Sequence, residues 1–185
     1  MFNQLLNIAA STQWQANIST QHCTQQVLSW LLDDSSLTNK LEGQCQEFNV
    51  QVKQQLNTNS TESTLSPYFP YPEKVLVREV LLYCDGVAHV FAQTEIPYST
   101  LSDAQEKLAN LGSESLGRVL FKNATLQRSK IEIAEFNIGS EIHAFSESLQ
   151  QTCQHSLWAR RSVFYIENKP LLVSEVFLPA SGIYK

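Results

Sequence analysis

The sequence has few charges and no cluster of basic residues long enough to hold a polyanion. Charged residues make up 17% of the 185 residues, and the formal net charge is −5. Domains that bind nucleic acid are usually basic, so no nucleic-acid partner is expected. This composition does not exclude a small anionic ligand, because one or two arginines can hold a carboxylate locally.

Long apolar runs and a basic N-terminal segment are also missing. No run approaches the roughly 18 apolar residues of a membrane helix, so we expect no membrane span. No Lys or Arg precedes Lys40, which argues against a signal peptide. We therefore expect a cytoplasmic protein. Because the length suits a single hydrophobic core, a monomer is the default expectation.

The common catalytic and metal-binding motifs are absent. The four cysteines have no CxxC spacing, and the four histidines form no standard ligand set with them. The sequence contains no phosphate-binding loop, no GxGxxG and no GxSxG. We expect buried free thiols, no metal and no cofactor.

Two pairs of β-rich segments predict hairpins. Residues 74–84 and 87–97 flank Asp85-Gly86, a pair that favours a type I′ turn. Residues 156–167 and 169–179 are joined by a similarly tight turn.

The remaining segments predict further strands, helices and one loop. Strands are predicted over 48–55 and 125–136, a polar surface loop over 56–66, and helices over 24–33, 36–43, 101–111 and 113–121. Residues 137–155 are ambiguous and could hold a helix. This order predicts an α+β fold in which residues 1–185 form a single domain, with helices around an antiparallel sheet of about six strands.

Two charged residues lie on apolar strand faces. Alternation places Glu175 among the apolar residues of 171–178, and Arg78 among those of 74–84, while Glu79 faces the other side. Burying an unpaired charge is costly, so each needs a partner. Either the two pair with each other or with local charges, or they bind a ligand, for which the arginine fork suits a carboxylate.

Two weaker signals also concern anions. Backbone N–H groups in 113–121 could meet an anion, or the segment could be an ordinary helix cap. Arg160 and Arg161 point to opposite faces of their strand. They form either a solvated edge or an additional anion contact.

Six motifs in order give the chain a resemblance to a known family. "VREVLLYCDG", "PYSTLS", "LGRVLF", "TLQRSKIEI", "WARRS" and "KPLLVSEVFLPAS" together resemble the chorismate pyruvate-lyases of ubiquinone biosynthesis. The resemblance runs from about residue 26 to the C-terminus.

The resemblance implies a fold and a set of site residues. The family fold is a compact antiparallel sheet with helical flaps over a buried ligand. The carboxylate-binding arginine falls on Arg78, and the assisting backbone amides fall on Leu37 and Leu116. The glutamate that meets the ring hydroxyl falls on Glu175. Arg78 and Glu175 are thus the expected catalytic residues, and all four residues are expected to bind substrate.

The resemblance also implies a reaction. Chorismate would be converted to 4-hydroxybenzoate and pyruvate without a cofactor, with tight product binding and slow product release. The second carboxylate of chorismate needs a cation, for which Arg128, Arg160 and Arg161 are candidates. The alternative is a non-catalytic domain of the same fold that binds a small acid as an effector.

Overall fold

Seven strands and four α-helices build the part of the chain described by a computed structural model, which covers residues 8, 14–16, 23–59, 72–101 and 103–185. The strands are β1 (Phe48–Asn59), β2 (Lys74–Cys84), β3 (Val87–Pro97), β4 (Gln127–Arg128), β5 (Glu132–Phe136), β6 (Leu157–Ile166) and β7 (Lys169–Phe177). The α-helices are α1 (Gln25–Leu31), α2 (Leu37–Glu42), α3 (Leu116–Leu120) and α4 (Glu141–Ser148). Short 3-10 helices span Asp103–Asn110 and Gly182–Tyr184.

All seven strands belong to one antiparallel sheet, as predicted. The order is β1-β2-β3-β7-β6-β4, and β5 also pairs with β6. Both predicted hairpins are confirmed. Asp85 and Gly86 have φ values of 50° and 78°, and Glu167 and Asn168 have 52° and 65°. Positive φ at both central positions is the signature of a type I′ turn.

The sheet carries a different helical layer on each face. On one face α1 packs against β7, where the rings of Trp30 and Phe177 meet edge to face at 5.9 Å. On the other face α4 packs against β3, where the rings of Phe91 and Phe145 lie 5.3 Å apart. The helix that the sequence allowed within 137–155 is therefore present as α4. No helix in the described ranges is both long and apolar enough to cross a membrane.

The single strand predicted over 125–136 is wrong in detail, because the structure splits it into β4 and β5. Between them, Ser129 uses its side chain where a strand would use its backbone. The Ser129 hydroxyl accepts the amide N–H of Val163 at 3.0 Å, and the Ser129 amide donates to the Val163 carbonyl at 2.8 Å. A side chain that replaces a backbone acceptor interrupts the regular ladder.

Three other predictions need adjustment. The loop predicted over 56–66 begins later, because β1 stays paired with β2 as far as Asn59; residues 60–66 lie outside the described ranges. The helix predicted over 101–111 is a 3-10 helix. All four cysteines are free as predicted, but only Cys84 is buried.

Tyr184, next to the C-terminal residue, bridges β6 and β7 through its hydroxyl. The hydroxyl of Tyr184 accepts the amide N–H of Trp158 at 2.8 Å and donates to the carbonyl of Phe177 at 3.0 Å. Burial raises the pKa of Tyr184, so the hydroxyl stays protonated and can donate.

We expect Tyr184→Phe to lower the free energy of unfolding by about 1–3 kcal/mol, because two backbone groups lose their partner. Thermal and urea unfolding followed by circular dichroism measure this change. Tyr98→Phe is the matched control, since the Tyr98 side chain is exposed and its hydroxyl makes no hydrogen bond to the described residues. Equal stability of the Tyr184→Phe and Tyr98→Phe variants would show that the hydroxyl does not fasten the terminus.

Candidate active site

A cavity lies between the helical layer of α2 and α3 and one face of the sheet. The empty space between its lining residues is about 600 Å³, part of which is open to solvent. Its walls are largely apolar, with a few charged groups among them. All four residues that the resemblance marks as site residues line it: Leu37, Arg78, Leu116 and Glu175.

Strand alternation brings Arg78 and Glu175 onto the same face of the sheet. Arg78 pairs with Thr94 of β3, and Glu175 pairs with Ala92 of β3, so β3 separates the two charges. Neighbouring strands lie about 4.8 Å apart, which puts the two backbones roughly 10 Å apart across the sheet. The two charges therefore stand at opposite sides of one cavity.

Arg78 is 2% exposed and has no acidic partner among the described residues. Its Nη2 donates to the carbonyls of Gly112 and Glu114, at 2.8 and 3.3 Å. Burial lowers the pKa of Arg78 from its usual value, but an arginine stays charged in proteins. Among the described residues only these two neutral carbonyls use its donors, so this side chain suits a bound carboxylate.

Glu175 already has a charged partner. Nε of Arg160 donates to its Oε2 at 2.6 Å, and its side chain remains 16% exposed. Its second oxygen, Oε1, accepts no hydrogen bond from the described residues, so it can still accept one from a ligand. The pairing of Arg78 with Glu175 weighed above is therefore wrong, and Glu175 pairs with a local charge instead.

The same arginine ties the glutamate to the helical layer. Nη1 of Arg160 donates to the carbonyls of Trp30 at the end of α1 and Asp33 in the α1–α2 connection, at 2.9 and 2.6 Å. The connection is itself held by charge. Burial alone would raise the pKa of Asp33, but hydrogen bonds from Lys40 and Ser35 keep it well below its usual range.

Two helices begin at the cavity. Leu37 and Leu116 are the first residues of α2 and α3, where backbone N–H groups have no acceptor within the helix. Ser36 caps α2 by accepting from the Asn39 amide. Ser115 does not cap α3, because its hydroxyl bonds Thr38 instead.

α2 and α3 are fastened to each other above the cavity. The hydroxyls of Thr38 and Ser115 lie 2.5 Å apart, and Arg118 forms an ion pair with Glu42. Gly117 permits this approach, since a Cβ there would lie 2.7 Å from Oγ1 of Thr38. The two helices therefore cover the cavity as one layer.

The structure shows which of the remaining candidate residues line the cavity. It also shows residues at the site that the sequence analysis did not identify. Arg128 and Arg160 line the cavity, whereas Arg161 does not. The sequence gives no signal for the contact between Thr38 and Ser115, because neither residue is unusual in its local pattern.

The comparisons with known proteins agree with one another. The sequence profile described as "Chorismate lyase" matches residues 8–185. The probable chorismate pyruvate-lyase of Psychromonas ingrahamii is 53% identical and covers 96% of this chain and 95% of its own length. The chorismate pyruvate-lyase of Proteus mirabilis is 32% identical, over 100% of this chain and 99% of its own.

Solved structures support the fold alone. The effector domain of PhnF from Mycobacterium smegmatis matches with a TM-score of 0.55 at 14% identity, covering 80% of this chain and 90% of that domain. A ligand-binding domain of a putative GntR-family regulator from Bordetella bronchiseptica matches with a TM-score of 0.54 at 12% identity, covering 73% and 86%. The fold is thus shared with regulator domains, but a profile match over nearly the whole chain and a relative more than half identical show that this chain belongs to the chorismate lyase family.

Proposed function

We propose that the protein is a chorismate pyruvate-lyase, which converts chorismate to 4-hydroxybenzoate and pyruvate at an early step of ubiquinone biosynthesis. The observation that carries this proposal is the position of Arg78 and Glu175 at opposite sides of one cavity, in a chain of the chorismate lyase family. A flat ring with a carboxylate at one end and a hydroxyl at the other matches that arrangement.

The two ends of the cavity bind different groups of the ring. Arg78 binds the ring carboxylate, assisted by the first backbone amides of α2 and α3, at Leu37 and Leu116. Glu175 accepts a hydrogen bond from the ring hydroxyl through Oε1, while Arg160 neutralises Oε2. The ring is thereby fixed in position and orientation, which lowers the entropic part of the barrier.

The reaction requires little chemistry from the protein. The bond between the ring carbon and the ether oxygen breaks, the ring carbon that bears the hydroxyl loses its hydrogen, and the ring becomes aromatic. The enolpyruvyl oxygen becomes the ketone of pyruvate, and its methylene carbon gains a hydrogen to become the methyl group. Aromatisation drives the reaction, so we invoke no cofactor. Arg78 and Glu175 act by fixed charges in a largely apolar cavity beneath a helical cover.

We also propose that the protein acts as a cytoplasmic monomer and that residues 1–185 form one domain. All the charged groups assigned to the site come from one chain, and the helices that cover the cavity belong to the same chain. Four free thiols suit a reducing compartment.

Purified protein incubated with chorismate should release 4-hydroxybenzoate and pyruvate in equal amounts. Chromatography of the ring acid and a coupled assay for pyruvate measure both products in the same sample. Because α2 and α3 cover the cavity, product should leave slowly, and low micromolar 4-hydroxybenzoate should depress the initial rate. Saturable binding of chorismate without either product would favour an effector-binding domain instead.

Arg78→Gln should weaken 4-hydroxybenzoate binding on the order of 10- to 100-fold, because a charged hydrogen bond to the carboxylate is lost. Calorimetric titration measures the dissociation constant. Arg161→Gln is the matched control, since Arg161 pairs with Glu132 and does not line the cavity. Equal affinity in the wild type and the Arg78→Gln variant would remove Arg78 from the carboxylate site.

Glu175→Gln keeps the shape of the side chain and its bond to Arg160 but removes the charge. We expect kcat to fall at least about tenfold, the loss typical of one charged hydrogen bond. A fall of about 10²–10⁴ would assign proton transfer to Glu175 as well as orientation. Steady-state rates and thermal unfolding, with Glu132→Gln as the control on the other face, separate catalysis from folding. An unchanged kcat, or a variant that does not fold, would contradict the role.

A further inference from the structure

The proposed reaction leaves one charge of the substrate without a partner. Chorismate carries two carboxylates, and Arg78 accounts for the one on the ring. The other belongs to the enolpyruvyl group, which is attached to the ring carbon next to the one bearing the hydroxyl. Since Glu175 marks the hydroxyl end, the second cation must lie near Glu175 and away from Arg78.

Arg161 is excluded by the face on which it lies. Strand alternation turns it away from Arg160, and its Nε donates to Glu132 of β5 at 2.6 Å. Its guanidinium lies 4.6 Å from the ring centre of Trp14. Arg161 is therefore a structural residue on the opposite side of the sheet.

Arg160 faces the cavity but is already committed. It is 2% exposed, its Nε donates to Glu175, and its Nη1 donates to the carbonyls of Trp30 and Asp33. Binding a second carboxylate there would weaken the bond that holds Glu175. These contacts indicate that Arg160 holds the side chain of Glu175 in position.

Arg128 faces the cavity and, unlike the other two, forms no ion pair with a described residue. The short strand β4 pairs it with Phe164 of β6, and its guanidinium lies 4.9 Å from the centre of that ring. Nε donates to the hydroxyl of Ser162 at 3.0 Å, and Nη1 makes a long contact of 3.4 Å with the carbonyl of Asp33. Nη2 donates to none of the described residues.

The position of Arg128 also fits the substrate. Arg128 and Arg160 both reach the carbonyl of Asp33, and Arg160 holds Glu175, so the free donor lies at the hydroxyl end. Burial and then the charge of Arg160 lower the pKa of Arg128, and Glu175 partly offsets them. An arginine nevertheless stays protonated.

We propose that Arg128 binds the enolpyruvyl carboxylate of chorismate and so distinguishes substrate from ring product. This inference rests on the proposed function. The aromatic product lacks the enolpyruvyl group and therefore makes no use of Arg128. The cavity then has two carboxylate subsites, one at Arg78 that both molecules occupy and one at Arg128 that only the substrate occupies.

The test compares substrate and product on the same variants. In Arg128→Gln, kcat/KM for chorismate should fall on the order of 10- to 100-fold, while the dissociation constant for 4-hydroxybenzoate stays within about twofold of the wild type. Arg128→Lys should recover part of kcat/KM, because the positive charge is retained. Arg161→Gln should change neither quantity. The unchanged product affinity also shows that the variant is folded.

Two results would overturn the inference. Unaltered kcat/KM in Arg128→Gln would show that the enolpyruvyl carboxylate does not need this cation. Equal losses for chorismate and 4-hydroxybenzoate would show that Arg128 supports the cavity as a whole. If the wild type binds chorismate without turning it over, the proposed function fails. Competition between chorismate and 4-hydroxybenzoate for binding then tests Arg128 on its own, and a selective loss of chorismate affinity in Arg128→Gln would still support the subsite.

Discussion

The ion pair between Arg160 and Glu175 is the interaction on which the candidate site depends. A carboxylate on an apolar strand face would be costly without a partner, and a buried arginine equally so. Together they neutralise each other at 2.6 Å, and Nη1 of Arg160 donates to the carbonyls of Trp30 and Asp33. One buried side chain thus joins the floor of the cavity to its helical cover. The α1–α2 connection and the carboxylate of Glu175 therefore share Arg160 as a hydrogen-bond donor.

The charged groups at the two ends of the cavity differ in how many of their hydrogen-bonding positions the protein itself occupies. At one end Glu175 is neutralised but retains an open acceptor, which suits a neutral hydroxyl. At the other, Arg78 has only neutral carbonyls of the loop before α3 as partners among the described residues. An uncompensated cation there favours an anion over a neutral group. The distribution of charge therefore orients a ring acid in one direction only.

Much of this could be predicted from local pattern. The Asp85-Gly86 turn fixes the first hairpin, and alternation then assigns Arg78 to the cavity face. The partner of Glu175 could also be predicted from the second hairpin. Arg160 and Glu175 are equally distant in sequence from the turn at Glu167 and Asn168, so they lie opposite each other on β6 and β7. The break at Ser129 and the contact between Thr38 and Ser115 were not predictable. The first depends on one side chain replacing a backbone acceptor, and the second joins residues far apart in sequence.

Arg78 and Glu79 show why a charge in an apolar strand is not by itself a functional signal. They are adjacent and similarly buried, at 2% and 0% exposure. On one face Glu79 accepts hydrogen bonds from Lys53, Gln54 and Gln93, which satisfy both of its oxygens. On the other face Arg78 keeps most of its donors free of the described residues and open to the cavity. The sequence pattern is the same for both, because it records which face a residue occupies and not what meets it there. A ligand site is therefore marked by the hydrogen-bonding capacity that the fold leaves unused, and burial becomes informative only when the partners are known.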